Sequence, residues 1–337
     1  MNDWYIYTGG NPSEEKIKKL PTAPRWRQFK PKFIQDNSQD EKSDLSWDEI
    51  RGMRFESGDE EKRMINAALY LRRPLLITGN PGIGKSSLAY SVAYELKLGK
   101  VLHWPITTKS TIQEGLYQYD AIGRLQDIQI ERLKNPNEKI DPPDIGQYIR
   151  LGPLGSALLE SKHKLPRVIL IDEIDKSDID LPNDLLNIFE EGSFEIPELS
   201  RVKQKQERFL VFSHDRQKRV PVYNGRVLCE EFPLILMTSN AERELPSPFL
   251  RRCLRLEIEE PDLEKLSKIV ESHFGEGEQI QNAKLIKTFF DLRKKGSLAT
   301  DQLLNAIYMT TKDVDLKGDV NILRDTLFKY LSTEGAI

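Results

Sequence analysis

A parallel α/β sheet domain followed by a small all-α domain is the fold class this amino-acid sequence predicts, on two observations. Short aliphatic runs at residues 74–78, 101–106, 168–171, 234–238 and 253–258 are separated by helical or irregular stretches. Buried strands alternating with helices indicate a parallel sheet flanked by helices. From Pro261 onward the apolar positions keep helical spacing only: Leu263, Leu266 and Ile269, then Leu285, Phe289 and Leu292, then Leu303, Ala306 and Ile307.

Taken in order, residues 1–45 read as a flexible N-terminal arm. They hold Pro12, Pro21, Pro24 and Pro31 with no sustained period, yet Trp4, Tyr5, Tyr7, Trp26 and Phe29 are scattered among them. Those aromatics suit docking on a partner or on the chain's own body. A first helix is expected where Ser57 and Glu60 have capping-box spacing ahead of Ile65, Ala68, Leu69 and Leu71. Residues 46–259 then form the α/β domain, with inserts near 107–155 and 197–230, and residues 260–337 form the helical domain.

Composition bounds the function classes. Of 337 residues 38% are hydrophobic and 31% charged, which suits much solvated surface. The net charge of −3 makes no global demand for nucleic acid or anionic lipid. Two cysteines, Cys229 and Cys253, cannot build a disulfide framework, and no apolar run approaches membrane-spanning length. With no leader pattern in Met-Asn-Asp-Trp-Tyr, the expected location is cytoplasmic, with no membrane partner.

The chemistry concentrates in two motifs. Gly79, Asn80, Pro81, Gly82, Ile83, Gly84, Lys85 and Ser86 satisfy G-x-x-x-x-G-K-[ST] between an expected strand and helix. Glycines there let backbone N–H groups turn inward around phosphates, and the helix start adds positive potential. Lys85 would meet the β and γ phosphates, Ser86 would reach Mg²⁺, and Ser87 completes the candidate nucleotide-binding set. The second motif is Val-Ile-Leu-Ile-Asp172-Glu173, four aliphatics delivering carboxylates to a strand's C-terminal end, where α/β sheets place ligands. Asp172 suits the Mg²⁺ shell; Glu173 suits polarising the attacking water.

With these motifs the sequence resembles the AAA+ ATPases, P-loop NTPases, over roughly residues 48–310, and within them the MoxR-like and dynein-related branch. Leu-Ile-Leu-Met-Thr-Ser-Asn240 resembles the strand carrying the sensor-1 polar residue, and the resemblance assigns Asn240 to aligning the water with Glu173. Glu-Leu-Pro-Ser-Pro-Phe-Leu-Arg251-Arg252-Cys253 resembles the segment with the arginine finger, which makes Arg252 the candidate for reaching a neighbouring subunit and Arg251 the runner-up. Residues 115–124 and 149–155 look like the hairpin inserted into the family's second helix, and residues 197–233 are placed like its pre-sensor hairpin. One departure stands out: where the lid often carries a sensor-2 arginine, residues 296–304 contain none.

The resemblance implies Mg-dependent ATP hydrolysis driving chaperone-like remodelling or assembly of a partner, by a ring, a hexamer by family habit, with a client or effector that in some relatives bears a von Willebrand factor A domain. Two other readings stay open: a nucleotide-dependent switch or scaffold in a signalling or defence assembly, and a nucleic-acid-associated NTPase motor. The motor reading rests on residues 201–226, where eight Lys/Arg face Glu207 and Asp215 with Phe209, Phe212 and Tyr223 interleaved. The plainer expectation there is a solvated hairpin or a protein contact. His103, His163, His214 and His273 have no metal-site spacing.

Overall fold

The computed structural model describes residues 46–134, 143–204, 206–215, 218–294, 298–311 and 328. The arm expected at 1–45 lies outside the described residues. The chain divides into two compact units: one holds residues 47–79 and 85–259, and the other brings residues 80–84 together with the chain from 260 onward.

In the larger unit α1 (Trp47–Met53) and α2 (Asp59–Leu71) precede β1 (Leu75–Thr78), α3 (Lys85–Glu95) and β2 (Leu102–Pro105). Next come α4 (Ile112–Leu116), β3 (Tyr117–Tyr119), α5 (Ala121–Lys134), β4 (Ile149–Leu151), α6 (Pro153–Glu160) and β5 (Val168–Asp172). α7 (Asp180–Glu191), β6 (Ser193–Glu195) and α8 (Pro197–Ser200) lead into β7 (Arg208–Phe212), β8 (Arg219–Tyr223) and β9 (Arg226–Leu228). β10 (Leu234–Ser239), α9 (Ser247–Arg252) and β11 (Leu254–Glu257) complete it.

The five aliphatic runs form one parallel sheet in the order β11–β1–β10–β5–β2. Its middle strands are the most apolar: all six residues of β10 are buried, and in β5 only Asp172 is not. Each fully buried Leu or Ile side chain contributes roughly 1.5–3 kcal/mol relative to an exposed one. The register sets β1 beside β10 and β10 beside β5, pairing Thr78 with Ser239 and Met237 with Ile171. Their C-terminal ends therefore lie side by side.

The start of α2 departs from the expected capping box. Gly58, not Ser57, is the N-cap, without a side-chain cap bond, and Asp59, Glu60 and Glu61 fill the first turn. Three acids at the positive end of the helix supply the favourable charge that a capping hydroxyl would otherwise complement.

The two inserts do not form separate hairpins. They join in a second sheet, β3–β4–β7–β8–β9–β6, where the parallel pair Arg150–Phe212 links the two inserts. β3 and β4 are antiparallel, but α5 stands between them in sequence rather than a tight turn. The hairpin of β7 and β8 alternates as a half-buried sheet should: Phe209, Val211 and Val222 are fully buried, while Arg208, Arg219 and Tyr223 face outward. Several of its cations are already engaged. Lys218 pairs with Glu160 at 2.8 Å, Arg219 lies 4.7 Å over the Phe212 ring, and Arg226 donates to Ser193.

The smaller unit contains α10 (Leu263–Phe274), α11 (Glu278–Gln281), α12 (Ala283–Arg293) and α13 (Thr300–Thr311). Asp262 caps α10 by accepting the Lys265 N–H at 2.7 Å. Leu266, Val270, Ile286, Phe289, Leu298, Leu303, Ile307 and Phe328 form its core. No helix among the described residues is long and apolar enough to cross a membrane.

Candidate functional site

Strand ends of the parallel sheet and the start of α3 build the site. The chain leaves β1 through Gly79, Gly82 and Gly84 at φ of 144°, 75° and 98° before α3 starts at Lys85. Positive φ at the last two is cheap for glycine alone. Lys85, 7% exposed, donates to the Gly79 carbonyl at 2.6 Å and to Asn240 Oδ1 at 2.7 Å. Burial lowers its pKa, against the opposing pull of Asp175, Asp172, Glu173 and Glu242.

Asp172, at the end of β5, is the most heavily hydrogen-bonded carboxylate of the cluster. Its Oδ1 accepts from Ser86 Oγ at 2.7 Å and from Thr238 Oγ1 at 2.6 Å, and its Oδ2 lies 3.2 Å from His103 Nε2. Burial alone would raise its pKa. Hydrogen bonds from His103, Thr238 and Ser86 outweigh that and hold it down at about 2, so the group is ionised at any physiological pH.

Glu173 follows in a left-handed conformation, φ 62° and ψ 51°. A non-glycine residue held there costs on the order of 1–3 kcal/mol and marks a position the surroundings impose. Its N–H donates to Thr238 Oγ1 at 2.9 Å, and its Oε2 accepts from Lys176 Nζ at 2.7 Å. Thr238 thus joins the two acidic neighbours, accepting from one and donating to the other. Asp175, 3% exposed, accepts the N–H groups of Asn240 and Glu242 at 3.0 Å each and so fixes the turn that presents Asn240.

The structure bonds Lys85 to Asn240 and Ser86 to Asp172, and links Asp172 and Glu173 through Thr238 at the neighbouring strand ends. Two expected residues stand apart from these. Ser87 Oγ accepts from Arg51 Nε at 3.1 Å. Arg252, at the end of α9, pairs with Glu190 at 2.5 Å, and Arg73 donates to the carbonyls of both Arg251 and Arg252. Asn240 meets Lys85 rather than Glu173. Thr238, His103, Asp175 and Lys176 are the members sequence reasoning missed. The sequence signal for Thr238 is strand periodicity, since it lies near the end of β10, two residues before Asn240. For His103 the signal is the register that sets β2 beside β5.

A buried lysine at a helix start and a hydroxyl poised against an ionised strand-end carboxylate are what a triphosphate and its cation require, and a plain strand-to-helix turn has no use for them. The fold and this site define a P-loop nucleoside triphosphatase. The model of the AAA domain, dynein-related subfamily, matches residues 74–253, more than half of the chain, and the chain belongs to that family. Comparison with curated proteins gives no match.

Proposed function

We propose that the chain binds Mg-ATP at this cluster, hydrolyses it, and works as a MoxR-like ring, a hexamer, that remodels or assembles a partner protein. The observation that carries the reading is the bonding of Ser86 and Thr238 to an ionised Asp172 beside a buried Lys85. The donor set fits Mg²⁺: a hydroxyl and a carboxylate are hard oxygen ligands. Mg²⁺ held there would supply positive charge against the charge of the phosphates. Gly79 to Ser86 orient the phosphates, and Lys85 exchanges its bond to Asn240 for the phosphate oxygens. Asp172 and Ser86 hold the cation shell. Glu173 accepts a proton from water as the water oxygen bonds to the terminal phosphorus. The bond to the β–γ bridging oxygen breaks, releasing ADP and phosphate, with Asn240 donating to that water.

The exposed position of Arg252, its side chain 59% accessible, supports its use in a neighbouring subunit's site. A guanidinium delivered across an interface makes turnover depend on assembly. Steady-state ATP hydrolysis per protomer, measured across protein concentration with Glu173→Gln as control, tests the whole reading. Specific activity rising steeply with concentration and lost in the variant is the expected result; a concentration-independent rate would refute the ring.

A second reading, a nucleotide switch with little turnover, draws on the Glu173–Lys176 pair, which occupies the carboxylate that hydrolysis needs. The nucleic-acid motor gains no comparable support. Of its three interleaved aromatics Phe209 is core and Phe212 lies beneath Arg219, leaving Tyr223 as the exposed one.

A further inference from the structure

The smaller unit buries a cation that its core does not explain. Arg293, at the C-terminal end of α12, has a side chain only 2% exposed. Its Nε donates to Glu260 Oε2 at 3.1 Å, while Nη1 and Nη2 have no hydrogen-bond partner among the described residues. Its guanidinium carbon sits 5.7 Å from the Phe289 ring centre. Burial lowers the pKa of the group, with Glu260 opposing. A half-satisfied buried guanidinium is expensive, and packing alone would be served better by an apolar side chain.

What Arg293 holds leads to the phosphate loop. The second oxygen of Glu260 accepts from Asn80 Nδ2 at 2.8 Å, so one carboxylate joins the buried arginine to the loop's second residue. A second attachment lies two residues on. The Thr300 N–H donates to the Gly82 carbonyl at 3.1 Å, and a Cβ built on Gly82 would lie 2.3 Å from Ala299 Cβ. The loop residues 80–84 and both anchoring segments belong to the same compact unit. Residues 298–304 carry no lysine or arginine, and Arg293 reaches the loop through Glu260.

We propose that Arg293 is a positioning residue for nucleotide binding: through Glu260 it holds Asn80, and with it the phosphate loop, in one arrangement. The proposal rests on the phosphate-loop reading given above. A loop already ordered loses less freedom when phosphates bind, so the restraint is read as affinity. By reciprocity, bound nucleotide must steady the end of α12.

The test titrates the full chain with a fluorescent ATP analogue and Mg²⁺. Arg293→Met and Glu260→Gln are each expected to weaken binding about tenfold, within the usual range of coupling between sites. The double variant is expected to lose no more than either single one, because both changes break one chain of contacts. Arg293→Lys should recover part of the loss. Nucleotide should also slow amide exchange at residues 289–294 in the wild type and not in Glu260→Gln. Should Arg293→Met fail to fold, Glu260→Gln and Asn80→Ala carry the same expectation at exposed positions. Affinities within twofold of wild type in the folded variants, or losses that multiply in the double variant, would overturn the proposal. Lys85→Ala separates the two layers. If it binds like wild type, the phosphate-loop reading fails; if it loses binding while Arg293→Met and Glu260→Gln keep theirs, only the role of Arg293 fails.

Discussion

The two sheets of the larger unit solve different problems. In the parallel sheet the middle strands are buried on both faces, so their side chains give stability and only their ends meet solvent. In the second sheet one face is buried and the other offers Arg208, Arg219 and Tyr223 to solvent. The comparison teaches where chemistry can sit. A sheet covered on both sides concentrates it at the strand ends, where Thr238, Asp172 and Glu173 converge; a half-covered sheet spreads polar groups along a surface suited to contact.

The largest effect expected of this contrast is on turnover. Glu173→Gln should cut the ATPase rate by roughly 10²–10⁴, the usual worth of a general base, while nucleotide affinity stays near wild type. Measuring both on one preparation checks it; a matching loss of affinity would mean that Glu173 supports the loop instead.

Next in size is stability. Leu236→Ala, in the middle of β10, should cost about 2–5 kcal/mol in urea unfolding. Tyr223→Ala on the outer face of the second sheet should stay within about 0.5 kcal/mol. Equal costs would break the distinction between the sheets.

Lys176→Met should change turnover less than fivefold if the exposed pair with Glu173 is worth about 1 kcal/mol or less. A much larger rise would favour the switch reading, because it would show the pair holding the base out of use.

The smallest effect is on acid stability. The Asp172 pKa of about 2 lies below its ordinary 3.8, so its contribution is fully present above pH 4 and is lost as pH falls toward 2. Thr238→Val removes one hydrogen bond to the ionised form. The pKa should then rise, and the variant's stability deficit should shrink as pH drops from 4 toward 2. A deficit that does not change over that range would show that Thr238 matters only for packing.

Much of the fold is legible in the sequence because its signals are local. Five aliphatic runs mark the five parallel strands, and the periodicity after Pro261 marks the helices. What escapes is whatever depends on strand neighbours. His103 and Thr238 come to flank Asp172 only once β2 and β10 lie on either side of β5. The joining of the two inserts escapes for the same reason: Arg150 and Phe212 are far apart in sequence, and neither segment's pattern names the other as partner. Arg293 looks like an ordinary basic residue at a helix end until its burial is seen. The capping box misled because Ser57 and Glu60 have the right spacing, while the backbone begins its helix one residue later.

The pairing of Arg150 with Phe212 has a consequence for how such a chain can be altered. Because β4 and β7 are neighbours in one sheet, removing the segment that carries β7 and β8 would leave β4 as a bare edge, a template for pairing with other chains. The Arg150 side chain, which donates to the His214 carbonyl at 2.6 and 2.9 Å, would lose its acceptor as well. The two inserts thus depend on each other structurally. A graft or deletion that respects the gene's linear order but divides them would trade a closed seam for an adhesive one.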